Sequence, residues 1–81
     1  MPRVVYVLES LSSPTHHYVG SSSDVTRRLE AHNSGASRHT AKYRPWRVVV
    51  SIEFADATGA DRFERYLKSG SGHAFARKRL W

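Results

Sequence analysis

The chain has no cysteine in its 81 residues. That excludes a disulfide framework and any thiolate metal site. A bound metal must therefore take oxygen or imidazole ligands, a set that favours magnesium or manganese over structural zinc. Long apolar runs are missing too. The opening Met1-Pro2-Arg3-Val4-Val5-Tyr6-Val7-Leu8-Glu9 is apolar only briefly and is broken by an acid, so it fits neither a signal peptide nor a membrane span. The expected compartment is the cytoplasm. Acidic residues are few: seven Asp and Glu stand against thirteen Lys and Arg, a formal charge of +6. A surplus of that sign is the footprint expected of a nucleic-acid partner. The length, with 40% hydrophobic residues, supports one modest core and hence a single domain over residues 1–81.

What is present reads as an α/β (α+β) domain. Val4-Val5-Tyr6-Val7-Leu8 is β-branched and apolar on both faces, the pattern of a buried strand. Ser10 to Thr15 reads as a turn and His17-Tyr18-Val19 as an antiparallel second strand, ended by a structural turn at Gly20, where the backbone must pass close to something. Asp24 is the expected N-cap of a helix from Val25 to about His32, with Asn33-Ser34-Gly35 as its stop. A loop of a dozen residues then runs to Pro45, and Trp46 to Phe54 alternates as a third strand. Thr58 and Gly70 bracket a helix carrying Glu64, and Ser69-Gly70-Ser71-Gly72 leads to a short basic helix. The order implies a small three-stranded, largely antiparallel sheet flanked by helices, in which the first and second strands each place a tyrosine near the sheet's middle.

Glu64 is the most informative residue. At about 100° per residue it shares a helix face with Ala60, Phe63 and Leu67, so a carboxylate stands on the stripe expected to be buried. Such a group requires a cation, a hydrogen-bond network or a metal. Arg28 and His32, four apart, stack on the helix face that also holds Val25 and Leu29. Alone, Arg28 reads as a snorkelling side chain, His32 as a boundary residue, and Tyr6 and Tyr18 as ordinary sheet tyrosines. Together with a carboxylate on an apolar face they point to a site. The expected nucleic-acid contacts are Arg27, Arg38, His39, Lys42, Arg44 and Lys68, with Arg77, Lys78 and Arg79 in the last helix.

Val4-Val5-Tyr6, Tyr18-Val19-Gly20-Ser21, Arg27-Arg28-Leu29, His32-Asn33-Ser34-Gly35, Arg44-Pro45-Trp46 and Glu64 to Gly70 together resemble the GIY-YIG nuclease superfamily, over nearly the whole chain. The likeness is to small stand-alone bacterial members related to the N-terminal nuclease domain of the bacterial excinuclease. It implies a divalent-metal-dependent endonuclease that hydrolyses DNA phosphodiester bonds, in single-stranded or branched DNA, during repair or processing. The implied catalytic set is Tyr6, Tyr18, Arg28, His32 and Glu64. In it Glu64 holds one Mg2+ or Mn2+, Arg28 clamps the phosphate, and either tyrosine is the base. His32 relays the proton or positions the water, and the products carry 5′-phosphate and 3′-hydroxyl ends. Two departures stand out: the first triplet lacks its glycine, and the asparagine that several such nucleases place beyond the glutamate is absent, Asn33 being the only one. The alternative is a weakly active or inactive basic binding module acting through a partner. Specificity is expected from the 34–45 loop, the basic tail, a partner protein or self-association.

Overall fold

Four consecutive buried residues, Val5 to Leu8, need cover on both sides, and strand β1 (Arg3–Ser10) receives it as the central strand of a three-stranded sheet. The computed structural model describes residues 2–81. Strands β2 (His17–Ser22) and β3 (Trp46–Phe54) flank β1 in the order β2-β1-β3, both antiparallel to it. Tyr6 faces Gly20 on one side and Ser51 on the other. Tyr18, opposite Leu8, lies on an edge strand and not in the sheet's middle.

Helices cover the two faces unequally. Under α1 (Val25–Ser34) and the single-turn α2 (Arg38–Ala41) lie Tyr6, Leu8 and Trp46, with Tyr18, Val25, Leu29, Tyr43 and Val48 packed against them. On the other face Val5 and Val7 of β1 pack with Ala60 and Leu67 of α3 (Ala57–Leu67) and Ala76 of α4 (Gly70–Arg79). Among the described residues no helix is long and apolar enough to cross a membrane.

Helix α1 follows its expected signals. The Asp24 carboxylate accepts the Arg27 N–H at 3.1 Å, and Gly35 closes the helix at φ 84°, a left-handed value that glycine adopts without strain. Asn33 extends the anchor: its side-chain amide donates to the Trp46 carbonyl at 3.0 Å and its carbonyl oxygen accepts the Trp46 N–H. The end of α1 is thereby pinned to the start of β3.

Four expectations are corrected. Gly20 does not end β2 in a turn but sits inside it, buried, and its φ is not positive. What the position requires is the absence of a Cβ, which would lie 2.6 Å from the Tyr6 hydroxyl. Thr58 does not cap α3: Asp56 does, accepting the Gly59 N–H at 3.0 Å, because a carboxylate three residues ahead is a stronger partner for that orphan donor. Gly70 begins α4 instead of standing as a stop, since Ser69 accepts the Gly72 N–H and starts a new helix at once. Finally, the segment between Gly35 and Pro45 is not all loop but contains α2, whose buried Thr40 ties it to the site.

Candidate active site

Tyr6 projects from the central strand toward β2. The missing side chain at Gly20 lets its ring lie over that position, and it also gives the Tyr18 ring close approach. The Tyr6 hydroxyl is 3.3 Å from His32 Nε2, and His32 Nδ1 is 2.9 Å from Thr40 Oγ1. All three side chains are fully buried. Thr40 Oγ1 donates to the Ser37 carbonyl at 3.4 Å, which leaves its lone pairs to accept from His32 Nδ1–H. A neutral imidazole has one donor and one acceptor nitrogen, so Nε2 then accepts from the tyrosine hydroxyl. The chain Tyr6, His32, Thr40, Ser37 has one direction and no orphan. Tyr18 stacks obliquely on His32, ring centres 4.6 Å apart, and fixes the imidazole plane.

The charges agree with this neutral pair. Burial pushes His32 below its ordinary value and the Arg28 charge pushes the same way, so the imidazole is uncharged near neutral pH. Burial also pushes the Tyr6 hydroxyl above its ordinary value. Arg28 opposes that rise, while Tyr18 and the Glu64 charge add to it, and the net direction is upward. Arg28, one turn ahead of His32 on α1, is exposed and interacts with the Tyr6 hydroxyl, which raises the guanidinium further. Its guanidinium stands exposed beside both tyrosine hydroxyls.

Glu64 reaches the edge strand from the other face. Its carboxylate lies at the margin of the α3 packing stripe, not within the core: 24% of the side chain is exposed, and Lys68 Nζ donates to it at 2.9 Å. Burial pushes the carboxyl up. The Lys68 hydrogen bond and the Ser21 side chain outweigh that, helped by the charges of Lys68 and Arg3, so Glu64 is held ionised below its ordinary range. Arg3 Nε donates to Ser21 Oγ at 3.3 Å, which places a cation and a hydroxyl beside the carboxylate. Tyr6 packs under α1 and Glu64 comes from α3, beside Ser21, and the Glu64 charge acts on the Tyr6 hydroxyl.

The donors fit a hard divalent cation. Among the described residues no group of three or more His, Cys, Asp or Glu side chains could hold an ion, so a four-ligand zinc centre does not fit. One ionised, partly exposed carboxylate does suit magnesium or manganese, which keep most of their water and take further oxygens from substrate phosphates.

Of the expected nucleic-acid contacts, Lys68 is spent on Glu64 and Arg44 lies over Gly35. Lys42 sits 5.3 Å above the Tyr43 ring. His39, Lys68 and Arg77 line one groove with Tyr18, whereas Arg27, Arg38, Lys78 and Arg79 are exposed outside it. One site residue escapes a sequence reading, Thr40, and Ser21 stands in the Tyr18 to Ser21 run with no role assigned to it. Only the rule that a buried neutral histidine needs two partners points to a hydroxyl such as Thr40.

The chain is similar to known proteins over nearly all of this structure. The model of the GIY-YIG catalytic domain matches residues 2–78. A structure-specific endonuclease subunit slx1 of Talaromyces marneffei is 42% identical over 73% of this chain, and a subunit SLX1 of Candida dubliniensis is 35% identical over 94% of it. The chain spans only 17% and 28% of those two proteins. The solution structure of a UPF0213 protein from Bacillus halodurans superposes with a TM-score of 0.57 at 28% identity, covering 99% of this chain and 87% of that one.

Proposed function

The chain belongs to the GIY-YIG catalytic-domain family, and from that premise we propose that it is a divalent-metal-dependent endonuclease. Its substrate is the DNA phosphodiester bond in single-stranded or branched DNA, and its setting is DNA repair or processing. The observation that carries this reading is the buried Tyr6 hydroxyl, seated over the side-chain-free Gly20 and hydrogen-bonded to His32, on which the charges of Arg28 and Glu64 both act. The names of the SLX1 relatives, structure-specific endonuclease subunits, support a preference for branched DNA.

In this reading Arg28 holds the phosphoryl oxygens in its fork. The Tyr6 oxygen takes a proton from the attacking water as its own proton passes to His32 Nε2. Thr40 keeps the ring oriented for that transfer and stabilises the imidazolium by accepting from Nδ1–H. Both groups rest neutral, so the proton moves only as negative charge builds on the phosphate. Glu64 would hold the Mg2+ or Mn2+, which supplies charge stabilisation on the phosphate and leaving oxygen.

The test is incubation of the purified chain with labelled single-stranded, duplex and branched DNA in magnesium or manganese. Cleavage that stops with chelator and with Glu64→Gln is the expected result; full activity in Glu64→Gln overturns it. The Lys68 ammonium on the Glu64 carboxylate favours one other reading, a basic binding module acting through a partner, in which the carboxylate already has its cation. Lys68→Ala separates the two, since it strengthens manganese binding in a nuclease and does not in a binding module.

A further inference from the structure

Beyond the catalytic set, β2 is bordered by two cavities, of about 1020 and 280 Å3, that share His16, His17, Tyr18 and His39. They form one trough that runs past Tyr18 from Tyr43 to Trp81. Its walls are flat and aromatic: His16 stacks on Tyr43 at 4.0 Å and 19°, and His17 stacks on Trp81 at 4.2 Å and 11°. His73 meets the edge of Trp81 at 5.7 Å. Its rim is cationic, with Lys68 and Arg77 on one side and Lys42 on the other. His16, His39 and His73 are exposed, so their rings are available to a ligand.

We infer that this trough is a single-strand site, where unpaired bases stack on the histidine and tryptophan walls while Arg77 at the rim contacts the phosphates. The inference rests on the nuclease reading for its location, since the trough opens beside Tyr18 and shares Lys68 with Glu64. The choice of a single strand comes from the chemistry of the walls. Planar rings add affinity only for bases whose faces are free, and in a duplex those faces are already stacked on their neighbours. A phosphate-only site would need the cations but not the parallel aromatic pairs, and an acidic peptide offers no flat faces to them. The larger cavity reaches the top of the range that encloses a drug-sized ligand, so it accommodates a short run of nucleotides instead of one.

The test uses the full chain carrying Glu64→Gln, with chelator present, so that no strand is cut. Anisotropy of a labelled oligothymidine is compared with that of a blunt duplex of equal length. Adding His16→Ala and His73→Ala, both exposed positions, should lower affinity for the single strand by about tenfold and for the duplex by less than about twofold. The single strand should also quench emission in a way that Trp81→Phe removes, because Trp46 is buried and reports nothing from the trough. Equal losses on both substrates would reduce the trough to general charge attraction, and no loss or no quenching would empty it; each result overturns the inference. Because the assay needs no metal, a chain that binds the strand here and cuts nothing fails only as a nuclease. One that cuts DNA with undiminished single-strand affinity in the double variant fails only as a single-strand site.

Discussion

The two faces of the sheet are built on different rules. Beneath α3 and α4 the buried side chains are all apolar, Val5, Val7, Ala60, Leu67 and Ala76, and shape alone specifies the packing. Beneath α1 and α2, Tyr6, Ser10, His32 and Thr40 are buried among Leu8 and Trp46, and each is hydrogen-bonded. Ser10 donates to the Tyr43 carbonyl at 2.6 Å and accepts the Ser13 N–H at 2.9 Å. Burying that many polar groups stabilises nothing by itself, since each must regain what water supplied. What the network provides is a tyrosine hydroxyl with a fixed direction at the edge strand. The apolar face holds the domain together and carries one carboxylate, Glu64, at its margin. Adjacent residues of one strand can therefore have opposite jobs, and Tyr6 and Val7 are such a pair.

The largest expected effect belongs to the groups where the faces meet. Glu64→Gln should lower single-turnover cleavage by about a thousandfold or more, a loss near ~4 kcal/mol in the barrier, while DNA affinity stays within a few fold. Its melting temperature should move little, because the group lost is partly exposed and its ion pair with Lys68 is open to solvent. Tyr6→Phe should cost about 10²–10⁴ in the same rate and leave the fold nearly intact, the ring being kept. If Tyr6→Phe cuts at the wild-type rate, the base is not Tyr6, and Tyr18→Phe becomes the variant to measure.

Val7→Ala sharpens the contrast from the other side. It removes apolar volume at a residue 1% exposed and should destabilise the domain by about 2–3 kcal/mol in denaturant titrations. Cleavage per folded molecule should change by less than about twofold. A large rate loss at constant fold content would mean that the two faces are coupled and that the division drawn between them is wrong.

The sequence is legible where the physics is local. Asp24 and Gly35 announce both ends of α1, and the unbroken apolar run of β1 announces a strand covered on both sides. Glu64 is visible as a carboxylate on an apolar face, whereas the tyrosines, Arg28 and His32 are ordinary one by one and legible only as an ordered set with it. What stays hidden is partly local and partly tertiary. Asp56 and Thr58 are both capping residue types two positions apart, so the start of α3 is ambiguous in sequence, and the helical turn at Arg38–Ala41 is too short to carry a periodic pattern. Gly20 reads as a turn glycine, yet its reason is a ring on the neighbouring strand that no local rule can supply. Glu64 is expected on the buried stripe and lies at its margin instead, because Lys68 one turn on draws the carboxylate toward solvent.

A smaller effect tests whether the polar face is one connected network. Thr40→Val keeps the shape and removes the hydroxyl, leaving His32 Nδ1–H buried without a partner. Chemical denaturation should show a loss of about 1–3 kcal/mol. Cleavage should fall as well, because the imidazole is no longer held in the tautomer that accepts from Tyr6. Thr40→Ser, which restores the hydroxyl, should recover much of both. Recovery of stability without recovery of rate would confine Thr40 to packing.

The smallest effect is one of pH. His32 is depressed in the folded protein, first by burial and then by Arg28, relative to an unfolded histidine near 6.5. Below that value the unfolded chain takes up the proton before the folded one does, so unfolding gains a proton and stability rises with pH across the window. The contribution is complete above about pH 6.5 and is lost as pH falls through the folded value. Glu64, also depressed, loses its contribution only in the carboxylate range further down, so the two windows separate. Denaturant titrations from about pH 7.5 to 5 should show stability declining in the native chain and a flatter decline in His32→Gln, the difference between the curves isolating this one imidazole. If the two curves run parallel, His32 is not held neutral by the fold, and the directed chain from Tyr6 to Thr40 has the wrong tautomer.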